Sequence, residues 1–168
     1  MKIMIILIVY ICINNSFVLK LHVTSSTRAD AETVHVEDLE MRKEAYGICG
    51  ECYEPGTGWH WCKDCNAKRF KDNFKNWTSE NQNIDELIQQ SQLMAVHYTK
   101  CLELIPFEDF QDIVASGKIY LANWPKGYIK QWDIINQSWK RSSNIKVVLK
   151  NFNINSDLLN EVIKINKL

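Results

Sequence analysis

The chain of 168 residues predicts an α+β fold, and three observations carry that expectation. Four cysteines fall into two Cys-x-x-Cys pairs around a Gly/Pro-rich turn, Glu54-Pro55-Gly56-Thr57-Gly58, which suits a hairpin better than a helix. Two stretches of helical apolar spacing follow. Beyond Pro106 the composition shifts to runs rich in β-branched and aromatic residues. The expected architecture is a small four-cysteine, zinc-ribbon-like module with helices, then a partial antiparallel sheet and one helix. Its boundaries are 1–36 for an apolar amino-terminal segment and linker, 37–100 for the cysteine-bearing helical module, and 101–168 for the strand-rich segment.

Each element has its own justification. Lys2 precedes Ile3 to Ile13, eleven uncharged residues. That is too short for a bilayer-spanning helix, which needs about 20. The charge order fits a secretory signal, but Phe17, Val18 and Leu19 extend the apolar character where a small-x-small cleavage site should stand. Three readings stay open: a signal or anchor over residues 1–19, a buried strand, or a misplaced gene start. Residues 20–36 read as linker, and VEDLEMRKEAY (36–46) as a short polar helix. From Cys65 to Trp77, the spacing of Phe70, Phe74 and Trp77 marks one face of a helix. In the next helix Asn83 is the expected cap, Glu86 completes a capping box, and Leu87, Ile88 and Met94 are apolar positions. Strands are expected at 118–124, 127–134 and 145–150, with a turn near Asn136 and Gln137. A closing helix runs from Ser156 as cap, with Leu158, Leu159, Val162 and Ile163 on its apolar side.

Twenty basic residues balance twenty acidic ones, so no general field favours a phosphate backbone and no nucleic-acid partner is expected. Lys68, Arg69, Lys71 and Lys75 are interrupted by acidic residues and read as a solvated helix face. No firm membrane span is expected; a protein partner is.

The cysteines carry the sharpest chemistry. Cys49-x-x-Cys52 and Cys62-x-x-Cys65 are separated by nine residues. Each such turn holds two thiolates on one side of a backbone knuckle, and two turns complete a tetrahedron around one structural Zn²⁺. So small a module needs the metal's binding energy to fold. Two disulfides are the alternative, and Cys12 and Cys101 extend neither scheme. A thiol redox motif would want a pair at a helix start inside a βαβ unit, and neither pair has that setting. His60 reads as a surface or packing residue, and Trp59 and Trp61 as covers for the metal.

The run from Gly47 to Ile113 resembles the amino-terminal region of a fungal family of protein-kinase-like proteins expanded in arbuscular mycorrhizal fungi. The resemblance rests on the two cysteine pairs, on CNAKRFKDNFKNWTSENQNIDELIQQSQL (65–93) and on LELIPFEDFQDI (102–113). NWTSENQNIDELIQ (76–89) is its most distinctive part. It implies a partial kinase small lobe over 101–168. Gly117 stands at the third glycine of a glycine-rich loop and Ile119 at the valine after it. Residues 124–141 correspond to the hairpin between the second and third strands. Val147-Val148-Leu149-Lys150 is similar to V-A-I-K, and residues 156–164 are similar to the αC helix. The implied ATP-binding residues are Gly117, Ile119, Ala122, Lys150 and Glu161. Without the resemblance, Lys150 is the first solvated residue after a strand and Glu161 a helix-surface carboxylate.

The departures weigh as much. The loop has one glycine, the Lys150–Glu161 interval is short, and H-R-D, D-F-G and A-P-E do not occur. The expectation is a truncated, catalytically inactive pseudokinase-like protein. It would act as a zinc-stabilised interaction module in the cytoplasm, with ATP binding a weaker implication. The alternatives are the amino-terminal fragment of an active kinase, and a small secreted, disulfide-linked protein. Asn14, Asn76 and Asn136 head formal glycosylation triplets that suit the last reading.

Overall fold

The computed structural model describes residues 6–13, 16–23, 38–117 and 119–150. The expected closing helix, and Glu161 with it, lie outside the described residues. So does most of the expected linker. Among the described residues the chain is α+β, with three α-helices and mostly antiparallel strands.

Helix α1 is Leu39–Tyr46. The Asp38 carboxylate caps it by accepting from the Met41 N–H at 2.9 Å, and Gly47 ends it at φ 73°. The buried Arg42 reaches across to the turn and donates to the carbonyls of Pro55 and Gly56. Helix α2, Lys63–Asn73, begins two residues before Cys65 and stops before Trp77, whose backbone is extended. A 3-10 turn, Phe74–Asn76, lies between. Phe70 is buried and Phe74 and Trp77 half-buried, so the apolar face is the expected one.

Helix α3, Gln82–Met94, is capped by Asn81 and not by Asn83. The Asn81 backbone is extended, and its side-chain oxygen accepts from the N–H groups of Asn83 at 3.1 Å and Ile84 at 3.3 Å. Asn83 is thus a helical donor, and Glu86 accepts instead from Gln82 on the exposed face. Ile84 and Ile88 pack on Leu102, with Leu87 at the edge. Met94 falls off that face and is 56% exposed.

The strands are β1 (Ile6–Ile13), β2 (Ser16–Val23), β3 (Glu103–Pro106), β4 (Gln111–Ser116), β5 (Ile119–Trp124), β6 (Tyr128–Asp133), β7 (Ser138–Ser142) and β8 (Ile145–Lys150). Six form one sheet in the order β3-β2-β1-β8-β5-β4, and β6 and β7 form a separate hairpin. All sheet neighbours are antiparallel except β1 and β8, which run parallel. Within the apolar amino terminus, residues 6–13 form a strand. Residues 20–23, expected as linker, belong to β2.

Among the strands that escape the sequence signals are β3 and β4. β3 is four residues ending on a proline. β4 leaves five of its six residues exposed and carries a bulge at Asp112, whose φ is 52°. Such an edge strand has no alternation to read. On the inner side of β5 and β8, Ala122, Trp124, Val147 and Leu149 join Ile105, Phe110 and Tyr128 in one cluster. A third cluster joins α2 to the hairpin: Trp61, Phe70, Ala95, Cys101 and Ile129, with Trp139 and Phe74 against them. Among the described residues no helix is long and apolar enough to cross a membrane.

Candidate metal centre

Two short turns bring the four thiols together. Ile48 and Pro55 form an antiparallel bridge, and inside it the Cys49 N–H donates to the Glu54 carbonyl at 2.9 Å. Tyr53 closes the first knuckle by donating its N–H to the Cys49 carbonyl, at a left-handed φ of 62°. The second begins with a bridge between Gly58 and Trp61 that forces His60 to φ 52°. Gly58 is required there, since a Cβ would lie 2.7 Å from the Val96 carbonyl oxygen. Cys62 is the N-cap of α2 and Cys65 lies in its first turn. The Thr57 hydroxyl accepts from the Lys63 N–H at 3.0 Å, so the helix start is fixed from outside the cysteine pair. The spacing in the sequence begins this helix at Cys65; the structure begins it at Lys63, with Cys62 as cap. The missed signal is that Thr57, six residues earlier, supplies the capping oxygen.

The sulfur geometry suits a metal. Cys49 Sγ lies 3.9 Å from Cys65 Sγ, Cys52 Sγ lies 3.6 Å from Cys62 Sγ, and all four fall within 4.8 Å of one another. Metal–sulfur bonds of about 2.3 Å give a tetrahedral edge of about 3.8 Å. A disulfide would need about 2.05 Å. All four are free thiols, and so is the buried Cys101. The set can hold one metal ion.

Their acidities diverge. Burial acts to raise the Cys49 thiol, but the backbone N–H groups of Cys52 and Glu51 outweigh it and hold it below the usual range. Burial, with the charge of Cys49 behind it, pushes Cys62 up to about 11. Cys65 rises further, chiefly through burial and then through thiol contacts with Cys52 and Cys62. One thiolate forms readily and discourages the others, and a bound cation reverses that repulsion.

An aromatic layer underlies the cysteines. Trp61 is 2% exposed and donates its indole N–H to the Ala95 carbonyl at 2.8 Å. It stacks on Trp139 with ring centres 5.9 Å apart, and Phe70 stacks on the same ring at 4.8 Å. Trp61 therefore lies in the core, while Trp59 is 63% exposed and rests edge-on against His60. Trp61 lines the cleft beside the thiols from below, whereas Trp59 is not among its lining residues. Arg69 also departs from the solvated face that Lys68, Lys71 and Lys75 keep. It pairs with Glu51 of the first knuckle and lays its guanidinium 4.3 Å from the centre of the Trp132 ring. A cleft of about 150 Å³ beside the thiols is lined by Ile48, Arg69, Gln131, Trp132 and Ile134. Trp132 and Trp139 face each other across the hairpin, a pairing set by the turn between them.

The residues implied for ATP are brought together only in part. Gly117 forms the β4–β5 turn at φ 63° with open space around it. Ile119 and Lys150 are cross-strand partners. Ala122 lies three residues on, in the buried cluster on the opposite side of β5 from Ile119, and Glu161 is outside the described residues.

No protein-family model matches the chain, and neither does any curated protein or solved structure. The sulfur quartet decides the site.

Proposed function

We propose that this protein is a zinc-stabilised interaction module related to the fungal protein-kinase-like family, and that the chain itself carries no phosphotransfer activity. The observation that carries the metal half is the set of four sulfurs within 4.8 Å of one another. An all-thiolate tetrahedral shell selects Zn²⁺ or iron, and a closed four-ligand shell with no open position suits structural zinc. Free thiols suit a reducing compartment, and the cytoplasm is our assignment. For the interaction half, Ile48 is 48% exposed, Tyr53 78% and Ile135 92%, three apolar side chains on the knuckle and the hairpin tip. Apolar groups so exposed on turns suit a protein partner. The chain contains no H-R-D base and no D-F-G metal ligand, the groups that position and stabilise phosphoryl transfer.

Metal content is the test. Full-length protein from a reducing cytosol should carry about one zinc per chain by inductively coupled plasma mass spectrometry. Cys49→Ser with Cys62→Ser should carry none. Well-folded parent protein without metal overturns the zinc assignment, and measured ATP-dependent phosphorylation overturns the inactive reading.

A second reading, the small-lobe fragment of an active kinase, draws support from one observation. Strands β4, β5 and β8 are adjacent and antiparallel, with the Gly117 turn at one end and Ile119 opposite Lys150. Binding of a fluorescent ATP analogue that Lys150→Ala abolishes would favour it.

A further inference from the structure

We propose that the cysteine centre is a peroxide-responsive switch, in which oxidation joins Cys52 to Cys62 and expels the metal. The inference rests on the zinc reading above and adds a regulation of that site.

The four thiols are not equivalent. Cys52 is exposed, whereas Cys49, Cys62 and Cys65 are partly buried. A dissolved oxidant therefore meets Cys52 first. Its sulfur stands 3.6 Å from that of Cys62, closer than the 3.9 Å between Cys49 and Cys65. Closing that gap to a bond of about 2 Å asks the chain to move by about 1.5 Å. The first knuckle can make that movement. Its residues hold few buried side chains; Glu51 pairs with the partly exposed Arg69, and Arg42 fixes only its far end, at the Pro55 and Gly56 carbonyls. Cys62 is less free, because Thr57 bonds the adjacent Lys63 N–H and the indole of Trp61 is anchored to Ala95. Cys52 is thus both the more exposed sulfur and the one with fewer anchoring bonds beside it.

The chemistry balances with hydrogen peroxide as oxidant. The Cys52 thiolate attacks one peroxide oxygen, the O–O bond breaks, and hydroxide leaves a sulfenic acid on sulfur. The Cys62 thiolate then displaces the sulfenic oxygen as a second hydroxide, and the S–S bond forms. Two electrons pass from the sulfurs to peroxide, and two solvent protons convert both hydroxides to water. Zinc loses two of its four ligands and departs hydrated from Cys49 and Cys65.

The experiment uses the zinc-loaded full chain with Cys101→Ser, a buried thiol that is not one of the four grouped sulfurs. Hydrogen peroxide is added in the presence of a chromogenic zinc chelator, and the product is digested without reduction for peptide mapping. The expected result is release of most of the bound zinc together with a peptide joined through Cys52 and Cys62. Dithiothreitol with added zinc should restore the metal. Zinc retained under excess peroxide overturns the inference and leaves the metal reading standing. So does zinc lost through a Cys49–Cys65 bond, or through sulfonic acids without a disulfide. A chain that holds no zinc before oxidant is added overturns the metal reading itself, and this inference with it. Parent protein run in parallel guards against a folding defect from the Cys101 change, since both should release zinc alike.

Discussion

Asp85 accepts hydrogen bonds from the Thr78 hydroxyl at 2.6 Å, the Ser79 N–H at 2.7 Å and the Ser79 hydroxyl at 2.5 Å. The carboxylate in the first turn of α3 therefore ties down the segment leading into its own helix. Burial acts to raise its pKa, and the Ser79 and Thr78 donors override it and lower the net value. A carboxylate with a depressed folded value adds stability that is complete above its unfolded value, near pH 4, and is lost as pH falls through the folded one. Asp85→Ala should cost about 2 kcal/mol at pH 6, read from urea midpoints. The gap between variant and parent should narrow at pH 3, where the unfolded carboxylate is largely protonated. Trp61 belongs to a different class. Removing a ring that is 2% exposed, stacked on Trp139 and hydrogen-bonded to Ala95 leaves a cavity and an orphaned carbonyl. Trp61→Ala should cost about 3–5 kcal/mol in the same assay.

Two turns distinguish what glycine does for an element. Gly117 and Gly127 both have left-handed backbones, at φ 63° and 61°. A Cβ on Gly117 would meet nothing within 4 Å, whereas one on Gly127 would fall 1.6 Å from the Ser142 carbonyl oxygen. Gly117→Ala should therefore cost about 1–2 kcal/mol, the conformational term alone. Gly127→Ala should cost clearly more and shift the hairpin entry, where Arg141 bonds the Gly127 carbonyl at 2.7 Å. Amide chemical shifts of β6 and β7, with urea midpoints for both variants, check the contrast. These elements also mark how far the sequence could be read. The three β-rich runs became β5, β6 and β8 because their Ile, Val, Tyr and Trp residues announce buried strands. The cysteine quartet was legible from spacing alone. β4 was not, since an exposed, bulged edge lacks a period. The α3 cap was misplaced by two residues because Asn81 and Asn83 are chemically alike, and only backbone conformation separates them. Arg69 was misread because a charge among lysines gives no hint of a tryptophan more than sixty residues away.

For the whole molecule, the sheet depends on its first hairpin. β1 and β2 lie between β8 and β3, with β2 paired to β3 from Ser16↔Pro106 to Leu19↔Glu103. Deleting residues 1–23 would bare the β3 edge and one side of β8. Unpaired edges template further pairing, so the truncated chain should self-associate, as size-exclusion chromatography with light scattering would show. Stability should also be uneven. The segment from Gly47 to Asn66 buries few large side chains besides Trp61, while α3 and the inner sheet face hold complete clusters. With the proposed zinc bound, its chelation should abolish hydrogen-exchange protection in that segment and leave α3 protected. The stack of Trp61 on Trp139, with Trp132 edge-on at 5.1 Å from Trp139, has an optical consequence. Indole transitions held so close and at fixed angles couple excitonically. The near-ultraviolet circular dichroism of the protein should carry a split band from these rings, a label-free gauge of whether the layer beneath the cysteines is intact.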